Sequence, residues 1–157
     1  MGLQELRSGR GRSRIYWHFL RWRDFCCDSH VSSTANELAD RLKRFATRVV
    51  IFARAMPTDP SSQVLAKQLT GSGTAQSANY RAARRGRSRA EFIAKLGVAA
   101  EEADETEHWL TVIAGAHVIS TTTGLKELEW LMEESRQLRA ILVASATTAR
   151  INHRNRQ

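Results

Sequence analysis

From Ser32 onward, the chain takes on helical periodicity and keeps it nearly to its end, with apolar residues returning at the steps of four and three that put them on one face of an α-helix. Leu38, Leu42, Phe45, Val49 and Phe52 form the first such seam. Thr34 followed by Glu37 reads as a capping box, in which hydroxyl and carboxylate satisfy free backbone N–H groups at a helix start. Pro57 ends this helix. The turn 57–62 holds both prolines of the chain, with Pro60 or Ser61 placed to open the next helix.

A second, less apolar seam follows at Leu65, Leu69, Ser72, Gln76, Asn79 and Ala83. Gly71 and Gly73 weaken this helix by up to about 1 kcal/mol each relative to alanine. Together with Ser72, Ala75, Ser77 and Ala78 they predict a surface that a neighbouring helix can approach closely. Ser88 with Glu91 is a second capping box, and Phe92, Leu96, Ala99, Ala103, Thr106, Leu110 and Ile113 continue from it without a break. That third helix is predicted to end near Gly115. After a turn at 120–124, a fourth runs from Leu125 to Ala149 with Leu128, Leu131, Ser135, Leu138, Leu142, Ser145 and Ala149 inward.

No stretch shows the period-two alternation of a strand. Four helices, each about 35 Å long at 1.5 Å per residue and joined by short turns, predict an all-α fold, an antiparallel up-down-up-down four-helix bundle with an N-terminal extension. Isolated helices of this length are marginal in water, so burial of the seams against one another must hold them together. The domain boundaries that follow are a basic extension over 1–33, the bundle over 34–149 and a basic tail over 150–157.

Charge changes the picture mainly at the ends. The 157 residues carry a formal net charge of +8, but Arg7, Arg10, Arg12, Arg14, Arg21 and Arg23 lie in the extension and Arg150, Arg154 and Arg156 in the tail. Residues 31–149 hold 15 basic and 13 acidic side chains, so the body is only slightly basic. Ile15 to Phe25 is interrupted by Arg21, Arg23 and Asp24, far short of the roughly 20 apolar residues of a membrane span, and it has no signal-peptide pattern. Cys26 and Cys27 are adjacent with no further cysteine to pair with, which predicts a reducing compartment, the cytoplasm, and no structural metal site. Residues 1–30 read either as a basic arm that orders on nucleic acid or as a translated upstream region, with Val31 as the initiation position.

Among candidate chemistries, Glu105-Thr106-Glu107-His108 has the Glu-x-x-His spacing of di-iron bundles, but such a site needs the motif twice and a glutamate from each of two other helices. One copy is present, the fourth helix has no histidine, and Glu105 and His108 fall opposite the apolar seam. A di-iron enzyme is therefore the remote alternative, and the expectation is a non-enzymatic protein with no cofactor. The run Glu101, Glu102, Asp104, Glu105, Glu107 reads as a solvated or subunit-contacting face, and Trp109 and Trp130 as core or interface residues.

Two arginine groups are coherent. Arg41, Arg44 and Arg48 form a ridge beside the first seam, and Arg81, Arg84, Arg85, Arg87 and Arg89 crowd the end of the second helix and its turn. Cations at a helix C-terminus stabilise it by about 0.3 to 1 kcal/mol, and ridge arginines can pair with acids on neighbouring helices. Five arginines within nine residues exceed that need, so these eight are the candidate nucleic-acid contacts, acting on phosphates. The alternative is a structural or protein-binding scaffold in which they serve subunit contacts.

The segments 36–42, Leu69-Thr70-Gly71-Ser72-Gly73-Thr74 with Asn79-Tyr80-Arg81, Ser88-Arg89-Ala90-Glu91-Phe92 and 101–110 together resemble the bacterial four-helix-bundle family named after proteins encoded in the intervening sequences of 23S ribosomal RNA genes. The resemblance covers about residues 34–149. It implies an up-down-up-down bundle that associates as a homopentamer. The chain is also similar to the accessory proteins of diversity-generating retroelements, which implies RNA or DNA and a reverse transcriptase or other protein as partners. It departs from the family pattern at Gly71, where a basic residue is common, and at Ala82, where a glutamate is common.

Overall fold

A computed structural model describes residues 29–155 as four helices: α1 (Ser29–Arg54), α2 (Pro60–Ala83), α3 (Arg89–Gly115) and α4 (Thr122–Arg154). Each packs against the next in the chain and α4 closes back on α1, giving the antiparallel bundle. The α2–α3 and α3–α4 contacts are the most extensive and the α1–α4 contact the least. The extension's first 28 residues, with Cys26 and Cys27, and the tail's Arg156 lie outside the described residues.

The α1 start differs from the reading of Thr34 as a cap. The helix is already running at Ser29, because nothing between there and Thr34 forbids helical backbone, and Ser33 donates from Oγ to Glu37 Oε1 at 2.9 Å within it. The other starts follow their local chemistry. Asp59 caps α2 by accepting from the Ser62 N–H at 3.0 Å, with Pro60 as the first helical residue. Hydrogen bonding from the Ser62 side chain, and then from its backbone N–H, holds the Asp59 carboxyl below its usual range. Ser88 accepts from the Glu91 N–H at 3.1 Å and Glu91 accepts from the Arg87 N–H at 2.9 Å, so the reciprocal half of that box falls one residue upstream of its usual place. Thr121 caps α4 through the Gly124 N–H.

Burial follows the periodicity closely in α1 and α3, where every seam residue is buried. In α2 the seam sits slightly rotated from the sequence reading: Ala66 and Tyr80 are buried, while Leu65 and Asn79 are only half-buried. Gly73 touches α1, since an added Cβ would lie 2.8 Å from Val49 Cγ1, whereas Gly71 faces open space. The α4 seam is buried from Leu128 to Ser145, with Ala146 added and Ala149 half-buried. One polar contact crosses the core: Gln76 Nε2 donates to Thr106 Oγ1 at 3.3 Å, and Thr106 donates to the Glu102 carbonyl. The corner after α3 is closed by His117 in the left-handed region, φ 52°, with Val118 N–H reaching back to the Ile113 carbonyl.

Candidate nucleic-acid interface

The eight candidate arginines do not form one surface. Arg41 and Arg48 lie on the flank of α1 that faces α4, where each is held by a glutamate. Arg41 donates from Nε and Nη2 to the two carboxylate oxygens of Glu134 at 2.6 and 2.8 Å, and from Nη2 to Gln137 Oε1 at 2.7 Å. Arg48 makes the same fork to Glu127 at 2.8 and 2.5 Å, and its guanidinium carbon sits 3.4 Å from the centre of the Trp130 ring. Hydrogen bonding to the carboxylates raises both guanidinium pKa values above their ordinary range, against the opposing effect of burial. These two arginines clamp α1 to α4 with their donor forks occupied by the protein itself. Arg44, between them in sequence, is exposed and makes no side-chain hydrogen bond or ion pair with the described residues.

The second group gathers where the end of α2 meets the beginning of α1. Arg81, Arg84 and Arg85 join Lys43 around an open groove of about 860 Å³ between the two helices, with Asp40 as its single acid. Its floor is made of small residues, including Ala35, Ala39, Ala46 and Ala78. Arg84 donates from Nη2 to Asn36 Oδ1 across the helix pair, while its Nε is buried without a partner. Burial pushes the Tyr80 hydroxyl up to about 12, moderated by the nearby Arg84 charge. Arg81 and Arg85 are exposed, and like Lys43 their side chains make no hydrogen bond or ion pair with the described residues. The same two arginines wall a second hollow of about 520 Å³, completed by Arg87 and Glu91 at the α2–α3 corner. Arg89, the first residue of α3, is half-buried beside it and is engaged by the protein.

Lys43 escaped the sequence reading because it belongs to neither arginine group; its place on α1 turns it toward α2, away from the ridge. The glutamate partners carried a usable signal. Arg41 and Arg48 are seven residues apart, and so are Glu127 and Glu134, as an antiparallel pair of helices requires.

The Glu-x-x-His residues point outward. Glu105 and His108 are exposed, and Glu105 accepts from Trp109 Nε1 at 2.9 Å while His108 packs edge-on against the same ring. Among the described residues no three His, Cys, Asp or Glu side chains converge as metal ligands. Part of the acidic run faces α4, since Arg139 pairs with Glu107 at 2.5 Å and Asp104 at 3.4 Å. Glu102 is shifted upward, first by burial and then by the charges of Glu105 and Glu101. Trp109 packs against the core, whereas Trp130 is 36% exposed, resting on Phe45 and Arg48. No helix among the described residues is long and apolar enough to cross a membrane.

Comparison with known proteins finds a family and solved structures that this chain resembles. A family model for the 23S rRNA-intervening sequence protein matches residues 35–144. A crystal structure from Bacteroides thetaiotaomicron, of a protein with unknown function from the S23 ribosomal protein family, is 31% identical with a TM-score of 0.63, the match covering 72% of this chain and 97% of that one. No curated protein matches. Neither match names an enzymatic activity.

Proposed function

Because this chain belongs to the 23S rRNA-intervening sequence protein family, we propose that it is a non-enzymatic bundle that binds nucleic acid through phosphate contacts in the α1–α2 groove, as a homo-oligomer. One observation carries the reading. Lys43, Arg81 and Arg85 line a single open groove and have no acid bonded to them among the described residues, while Arg41 and Arg48 are neutralised by glutamates. Charge left unpaired in a concave site is what phosphate binding requires. Repetition of the groove in an oligomer would add avidity.

Fluorescence anisotropy with labelled RNA and DNA tests it. If the three free cations each neutralise one phosphate of a duplex, affinity falls roughly 40-fold between 50 and 200 mM salt, and Arg81→Ala with Arg85→Ala removes most of that dependence. Undetectable binding at low salt, or binding indifferent to salt, defeats the proposal. The scaffold reading is favoured for the α1–α4 flank alone, where Arg41 and Arg48 already serve the fold.

A further inference from the structure

The groove offers a ligand the charges of Lys43, Arg81, Arg84 and Arg85, with Asp40 as the one opposing acid, and little else. Its floor presents the methyl groups of Ala35, Ala39, Ala46 and Ala78 with the short hydroxyls of Thr74 and Ser77. Thr74 Oγ1 already donates to the Thr70 carbonyl at 2.8 Å. The long side chains around this floor are Lys43, Arg81, Arg84 and Arg85, and Arg84 is tied to Asn36.

Single strands are held differently. Proteins that bind them stack successive bases on aromatic rings, each worth about 1–3 kcal/mol, above a basic track. Among the described residues no ring lines the groove: Trp130, on α4, packs against the opposite flank of α1 with Arg48 over its ring, and Tyr80 is buried in the core. A site that offers four cations against one acid, Asp40, and no ring gains most from the ligand of highest charge density, because its binding free energy comes from released counterions. A duplex carries one charge per roughly 1.7 Å of axis and returns about 0.9 counterion per contact, against about 0.7 for a single strand. Arg81 in the last turn of α2 and Arg85 in the turn that follows it also form the wall shared with the 520 Å³ hollow. Cationic contact thus continues from the groove around the α2–α3 corner to Arg87.

Resting on the phosphate-binding reading above, we propose that the ligand of this groove is the backbone of a double-stranded nucleic acid, held by its phosphates with no base read. The groove takes up one backbone ridge of the duplex, and sequence enters only through duplex shape.

The test compares, at one low salt concentration, a 20-base-pair RNA duplex, a DNA duplex of the same length in two unrelated sequences, and an unstructured single-stranded RNA with the same number of nucleotides. The expected result is duplex affinity at least about tenfold above the single strand, with the two DNA sequences within about threefold of each other. In Arg81→Ala with Arg85→Ala, a pair of exposed positions whose folding is checked by the melting temperature, the duplex salt slope drops by about two. The RNA and DNA arms identify which duplex is preferred. A single strand bound as tightly as the duplexes, or DNA sequences that differ tenfold or more, overturns this inference and leaves phosphate binding standing. Binding of none of the probes overturns both.

Discussion

At position 71 a glycine sits mid-helix with nothing within reach of an added methyl, while two residues on, Gly73 lies against the Val49 side chain. Gly71→Ala is expected to stabilise the fold by about 0.5–1 kcal/mol through lost chain freedom in the unfolded state, and Gly73→Ala to destabilise it by about 1–3 kcal/mol through overpacking. Urea denaturation of the two variants measures both, and equal effects would show that the close approach at Val49 is wrongly placed. Sequence alone treats the pair alike, since composition marks α2 as a helix of small residues without saying which of them meets a neighbour. The same limit moved Tyr80 out of view. Its neighbour Asn79 fits the four-three spacing, but the buried position belongs to the ring, 1% exposed. With the folded-state hydroxyl raised from 10.0 to about 12, unfolded chains ionise first as the pH climbs. Stability is therefore expected to be insensitive to Tyr80 below pH 10 and to fall between about 10 and 12. Tyr80→Phe removes that part of the loss, measured by denaturation across the alkaline range.

The helices themselves were legible almost in full, because a seven-residue repeat constrains every turn and the Asp59 and Ser88 caps are written in a few adjacent residues. Less legible was how α1 and α4 meet. There the contact is made by long polar side chains, which a seam of apolar positions does not reveal. The fork from Arg41 to Glu134 leaves those side chains 28% and 15% exposed, between a surface pair and a buried one. A double-mutant cycle with Arg41→Ala and Glu134→Ala is expected to give a coupling of about 1 kcal/mol, above the few tenths usual for exposed pairs. Coupling near zero would mean that the clamp is held by its surroundings and contributes nothing of its own. The candidate contacts were legible only as a census of arginines. Which of them are neutralised depends on Glu127 and Glu134, some eighty to ninety residues further along the chain.

For the whole molecule, the distribution of charge matters more than its total. The extension and tail carry most of the net +8, and the bundle keeps a small surplus, with four of its cations lining the α1–α2 groove against one acid. The long-range placement that creates this surplus is tertiary, which is why the sequence reading gathered eight arginines as one class where the fold divides them. The loose α1–α4 closure has a further consequence, for motion. A four-membered ring of helices whose last seam is bridged by guanidinium groups opens at that seam more readily than where small residues interlock, as in α2–α3. Native-state hydrogen exchange should then find α1 amides exchanging through a partial opening of lower free energy than those of α2 and α3, lowered further in high salt. Uniform protection across the four helices would contradict this. Since α1 forms one wall of the basic groove, a ligand seated there would ride on the helix that breathes, and its arrival should slow the exchange of α1 above all others.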